Sequence, residues 1–251
     1  MTDVRVAAKL EAYVRDLEQA FDPGRLAPYY PADGDKLAMV ANYFWNAALC
    51  KEMHLSLGTV EVTMRNAIHD TLTAHFNAPD WYDEPFLLQE REARAIAKAK
   101  KDIRDTGKPA IPGRVVAAVT FGFWTGLLSA LYGESPYGPS LWTPNNAELI
   151  RVAFPHLTPG NQNRSYVHRR FNTIRALRNR VVHHEPIWRG VRMQNRRIVP
   201  LSMLYRDILE AISWVNPGVR DSVAALDRFP AALHHGLPAI EADIKRYLDM
   251  R

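Results

Sequence analysis

Apolar residues along this chain recur every third or fourth position and almost never every second one. Between residues 59 and 77 the row is Val60, Met64, Ile68, Leu72 and Phe76; between 160 and 184 it is Val167, Phe171, Ile174, Leu177 and Val181. An α-helix turns once in about 3.6 residues, so rows of this kind line one face of a helix, whereas a half-buried strand alternates at period two. The same period predicts helices near 4–20, 35–54, 86–105, 113–132, 144–153, 201–215, 219–229 and 238–250, and therefore an all-α fold. Proline and glycine punctuate these segments at Asp22-Pro23-Gly24, Pro31 to Gly34, Pro109 to Pro112, Ser135 to Pro139, Pro155, Pro186, Asn216-Pro217-Gly218 and Pro230. Thr143-Pro144 and Thr158-Pro159 each place a capping hydroxyl before a proline suited to the first helical position. No break is a long flexible linker and no internal repeat is evident. The expected organisation is a single helical domain over residues 25–216, with an N-terminal helical extension over 1–24 and C-terminal helices over 217–251 packed on the same domain.

Of 251 residues, 47% are hydrophobic and 24% charged, which excludes a disordered tail, a collagen-like repeat and a disulfide-stapled miniprotein. The single cysteine, Cys50, can form no internal disulfide and no cysteine-based metal site, so the cytoplasm is the expected compartment. The start of the chain mixes Asp3, Arg5 and Lys9 among apolar residues, unlike a secretion signal. Val115 to Tyr132 is uncharged, but Thr120, Gly122, Thr125, Gly126 and Ser129 dilute it, so a buried helix is expected there and no membrane partner.

The charge is unevenly placed. Between Arg164 and Arg197 there are ten arginines and one acid, a local charge of +9 that leaves −4 on the rest of a chain whose net charge is +5. An arginine block on a mildly acidic background is what a phosphate-binding surface requires; the alternative is a helix face whose arginines pair with acids elsewhere in the fold.

Two helices carry candidate functional groups. Beside the apolar row of the 59–77 helix runs a polar row of Glu61, Arg65 and His69. It reads either as an i,i+4 ion pair or as accessory groups lining a polar cleft. The 160–184 helix ends in Arg178-Asn179-Arg180-Val181-Val182-His183-His184-Glu185-Pro186. Pro186 would clash with the carbonyl of Val182 and pushes Glu185 out of helical geometry, so the helix is expected to stop at about residue 184. Arg178 and His183 are five residues apart, about 140° around a helix. To act on one phosphate, either the helix unwinds near His183 or one of the two residues comes from a second copy of the chain.

Four segments in order, Tyr43-Phe44-Trp45-Asn46, Glu61 to Ile68, Phe121-Gly122-Phe123-Trp124 and Arg178 to Ile187, resemble the Abi-like (AbiD/AbiF) abortive-infection proteins of the HEPN superfamily over roughly residues 25–215. The resemblance implies a HEPN-like helical bundle with additional helices and an R-x-x-x-x-H motif that cleaves RNA without metal, usually across a homodimer, in phage defence. Arg178 matches the motif arginine, Asn179 the polar residue after it and His183 the motif histidine. His184 and Glu185 match the Abi-like extension. A toxin or effector of this kind has RNA as substrate, with a protein or RNA antitoxin among the partners it allows.

The chemistry suits those residues. RNA supplies its own nucleophile, the 2′-hydroxyl, so cleavage needs proton transfer and stabilisation of the phosphorane. Arg169, Arg170, Arg192, Arg196 and Arg197, with Trp188 as a stacking group, are the expected RNA-binding residues. The alternative is a module that binds RNA or a partner without cleaving. No cofactor is expected and no metal: the adjacent pairs His183-His184 and His234-His235 cannot easily hold one ion together, and no H-E-x-x-H occurs.

Overall fold

The computed structural model describes residues 2–133, 141–142, 148–193 and 197–250, and over these it is an all-α protein. The chain divides into two compact units, neither of them continuous in sequence. Unit one takes residues 1–54, 179–204 and 227–251; unit two takes 55–178 and 205–226.

Unit one holds α1 (Thr2–Phe21), the short α2 (Pro23–Leu26), α3 (Lys36–Glu52) and, from the far end of the chain, α12 (Phe229–Met250), which packs along α3. Val14, Leu17, Leu26, Tyr29, Met39, Val40, Ile244 and Leu248 form its buried cluster. Asp35 caps α3, its carboxylate accepting from the amides of Leu37 and Ala38. The unit also contains a two-residue hairpin, β1 (Val191–Arg192) against β2 (Ile198–Val199), which the helical period gave no reason to expect. Gly190 enters it at φ 89°, where a Cβ would lie 2.7 Å from the Val199 carbonyl oxygen, so only glycine fits.

Unit two is built from α4 (His54–Phe76), α5 (Glu90–Asp105), α6 (Pro112–Ala118), α7 (Phe121–Leu127), α8 (Glu148–Ala153), most of α9 (Arg164–Val182) and of α10 (Leu201–Val215), and α11 (Pro217–Leu226). Val60, Met64, Ile68 and Leu72 of α4 are fully buried, as are Val167, Phe171, Ile174 and Leu177 of α9. Phe171 gathers Phe121, Phe154 and Trp214 around it, with ring centroids 5.6–6.5 Å away.

Several predicted elements differ; α4 starts at His54 rather than 59 and α5 at Glu90 rather than 86. The 113–132 helix is broken: Val119 and Thr120 are extended, splitting α6 from α7. β-branched residues at 115, 116, 119 and 120 followed by Gly122 make a continuous helix costly there. The second long helix begins at Arg164 rather than 160, because Asn163 is the residue that caps it, accepting from the amide of Tyr166 at 2.8 Å, while Thr158 opens only a single 3-10 turn. Pro230 lies inside the first turn of α12, which breaks instead at Gly236 (φ 62°). Thr143-Pro144, the start of the 144–153 helix and the Ser135 to Pro139 break lie outside the described residues. Among the described residues, no helix is long and apolar enough to cross a membrane.

Candidate active site

The end of α9 is a Schellman turn. The His183 amide still donates to the Asn179 carbonyl; the His184 amide then reaches Val181 and the Glu185 amide reaches Arg180. The residue at the turn is His184, at φ 52°. Gly107 (φ 75°) after α5 and Asn77 (φ 51°) after α4 are also positive-φ residues at helix ends. Glycine and asparagine are the usual occupants, and histidine is the costly one. Where this turn usually carries an apolar contact, Arg180 pairs with Glu185 at 3.1 Å. Glu185 thus makes an ion pair across the turn. The rings of His183 and His184 are exposed, and neither has a hydrogen-bond partner among the described residues; the His184 carbonyl accepts from Arg25 at 3.4 Å. Asn179 is exposed as well. The unwinding that would swing His183 round is absent, since its amide remains in the helical ladder.

What holds this turn is Asn46 of α3, only 2% exposed. Its Oδ1 accepts from the amides of Ile187 (2.7 Å) and Trp188 (3.2 Å), and its Nδ2 donates to the Glu185 carbonyl (3.3 Å) and the Tyr29 hydroxyl (3.1 Å). One buried amide thus satisfies three backbone groups just after the helix end. Sequence reasoning assigned Asn46 no role. The available signal was a pair of asparagines, Asn42 and Asn46, four apart among the apolar residues of a helix. Trp188 is half-buried, its ring 6.3 Å from that of Trp45 and covered by the Arg189 guanidinium at 4.2 Å. One face of the proposed stacking group is therefore occupied.

Arg178 belongs to unit two, where its Nε pairs with Glu61 of α4 at 3.5 Å. Of the two readings of this row, the Glu61–Arg65 ion pair is not formed among the described residues: Arg65 turns its Nε to Asn66 at 3.3 Å. Arg178 is one-third exposed, and among the described residues its two terminal nitrogens have no hydrogen-bond partner. His69, on the same polar row, accepts from the indole of the fully buried Trp81 at 3.1 Å; burial pushes its pKa down.

The remaining arginines separate into two groups. Arg170 is enclosed by Asp207 (2.9 Å) and Glu210 (2.6 Å) and lies over the Trp214 ring, so it serves the fold of unit two rather than a surface. Arg169, Arg192 and Arg197 are exposed; Arg196 lies outside the described residues. Among the described residues no group of His, Cys, Asp and Glu is arranged to hold a metal ion. No family model matches the chain, and neither a curated protein nor a solved structure matches it.

Proposed function

We propose that the protein is a metal-independent endoribonuclease of the HEPN type, an Abi-like toxin or effector, in which Arg178 and His183 act on one scissile phosphate. The observation that carries the reading is the state of these two side chains: an arginine held by Glu61 at Nε with its terminal nitrogens open, and an exposed histidine ring with no partner among the described residues. A guanidinium in that state can hold two phosphate oxygens as a fork. Imidazole, with an ordinary pKa of about 6.5, takes up and releases a proton at neutral pH. His183 accepts the proton of the 2′-hydroxyl as its oxygen attacks phosphorus; Arg178 stabilises the charge on the non-bridging oxygens; Asn179 binds or orients the phosphate. The bond to the 5′-oxygen breaks as that oxygen takes a proton from water, leaving a 2′,3′-cyclic phosphate and a 5′-hydroxyl, and His183 returns the proton it accepted to solvent. Because His183 stays in the helical ladder, a second copy of the chain is the route by which the two groups meet, and the active form is a homodimer.

The test is cleavage of single-stranded RNA in EDTA by the wild-type chain, with product ends identified. His183→Ala and Arg178→Ala should abolish cleavage without changing the helical circular-dichroism spectrum. Arg178→Lys should be nearly as poor, since lysine keeps the charge and loses the fork. Cleavage that appears only with magnesium, or that survives His183→Ala, overturns the mechanism. RNA bound but never cut by the wild-type chain would identify a binding module instead.

A further inference from the structure

A concave site lies wholly within unit two: a cavity of about 200 Å³ between the first turn of α5, one face of α7 and the middle of α9. From α9 come His168, Asn172 and Arg175, spaced four and three and so on one helical face. Arg91 faces them from α5.

Arg175 is poorly matched by its surroundings. Its Nη2 donates to Asn172 Oδ1 at 2.7 Å, but its Nε is buried without a hydrogen-bond partner, and it pairs with no carboxylate among the described residues. A methyl group placed on Gly122 would lie 3.7 Å from Arg175 Nη1, 3.7 Å from Arg91 Nη2 and 3.4 Å from the Thr120 hydroxyl. Two guanidinium groups and a hydroxyl thus converge on a spot that glycine leaves open. The one carboxylate in the wall, Glu92, is already engaged: 4% exposed, it accepts from the Tyr132 hydroxyl at 3.0 Å and lies 3.8 Å from Arg91. Its second oxygen rests over Gly126, where a Cβ would come within 2.7 Å. Burial, with Arg164 and Arg175 nearby, pushes the His168 pKa down, which favours the neutral ring, and a neutral ring offers one N–H without adding charge. Glu92 offsets Arg91 and nothing among the described residues offsets Arg175.

We propose that this cavity binds a phosphate monoester, with Arg175 and Arg91 gripping its oxygens from opposite walls and His168 and Asn172 completing the cradle. Donors converging from three elements suit a tetrahedral oxyanion better than a planar carboxylate with two oxygens. At about 200 Å³ the cavity is smaller than the 300 Å³ or so at which sites for whole drug-sized ligands begin. It takes the phosphoryl end and leaves the rest outside. That end could belong to a free nucleoside monophosphate or to the terminus of an RNA strand. Neither Arg178 nor His183 lines the cavity.

Calorimetric titration of the full chain, in the His183→Ala background so that RNA stays intact, tests the proposal with inorganic phosphate, AMP, adenosine, and a short RNA bearing either a 5′-phosphate or a 5′-hydroxyl. Phosphate and AMP should bind and adenosine should not. Arg175→Gln and Gly122→Ala should each weaken AMP at least tenfold. Gly122→Ala is the decisive variant: its methyl group makes only ordinary contacts and replaces a helical glycine, so the melting temperature should not fall while the open spot is filled. A gain in RNA affinity from the 5′-phosphate assigns the site to strand ends; AMP binding without that gain assigns it to free monoesters. No binding of phosphate or AMP at millimolar concentration, equal binding of adenosine and AMP, or unchanged AMP affinity in both variants overturns it. A chain that fails to cleave RNA yet binds AMP as expected would overturn the nuclease reading alone.

Discussion

Replacing His184 by glycine should make the protein more stable. The residue sits at φ 52° at the end of α9, its ring exposed and without a hydrogen-bond partner among the described residues; the bonds that close the turn run between backbone atoms, and the side chains that reach it, Asn46 and Arg25, bond backbone groups rather than this ring. An L-residue in this left-handed region costs about 1–2 kcal/mol, a cost glycine escapes. Glycine returns about 0.5–1 kcal/mol of that through its greater freedom in the unfolded chain. The expected net gain is about 0.5–1 kcal/mol, or roughly 1–4 °C in melting temperature for a chain of this size. Gly107 supplies the internal reference: it occupies the corresponding place after α5, at φ 75°, and a Cβ there would meet nothing within 4 Å. Gly107→Ala should therefore cost a similar amount through backbone conformation alone. Both variants can be measured by urea denaturation, comparing midpoints at equal slope. If Gly107→Ala destabilises as expected while His184→Gly brings no gain, the His184 ring contributes stabilising contacts that this structure lacks, and the argument from backbone conformation fails.

Asn46→Ala should destabilise by about 3 kcal/mol, since two amides and a carbonyl after the helix end lose their buried partner; a loss under 1 kcal/mol by chemical denaturation would show that the turn holds without it. Lowering the pH from 7 to 5 should lower the melting temperature. His69 has a depressed folded-state pKa, so its contribution is complete above the unfolded value of about 6.5 and is lost as pH falls through the folded one; His69→Gln, which cannot charge, should flatten that fall. Replacing Arg169, Arg192 and Arg197 by alanine should reduce the log-log salt slope of RNA binding by about 0.7 for each phosphate no longer neutralised. Arg170→Ala should instead lower stability and leave the slope unchanged, and the opposite pattern would refute the division between the two groups.

The helices were readable because burial imposes a period on the sequence: the rows of α4 and α9 face the core as their four- and three-residue spacings require. Pro186 likewise announced the end of α9, within two residues of where it lies. What local pattern could not carry is pairing over long separations. Glu61 had a charge partner four residues away in Arg65, and the competing partner, Arg178, is visible only once α4 and α9 are folded. Asn46 and Glu185 are 139 positions apart, so nothing near either residue advertises the bond between them. Arg170 had no acid nearby in the sequence, yet Asp207 and Glu210 enclose it. The break at Val119-Thr120 is hidden for a different reason: an uncharged run without proline has the same period whether it is one helix or two.

The discontinuity of the two units sets an order on folding during synthesis. Unit two has all its segments once residue 226 has left the ribosome, whereas the buried cluster of unit one joins Val14, Leu17 and Tyr29 to Ile244 and Leu248. Helices α1 to α3 must therefore wait for α12, the reverse of the usual N-terminal-first sequence. The segment carrying His183 is seated in that late unit. For a chain whose proposed activity would destroy RNA, the consequence is timing: until Ile244 and Leu248 are made, the buried cluster that packs α3, the helix carrying Asn46, is incomplete, and the turn that holds His183 has no settled support.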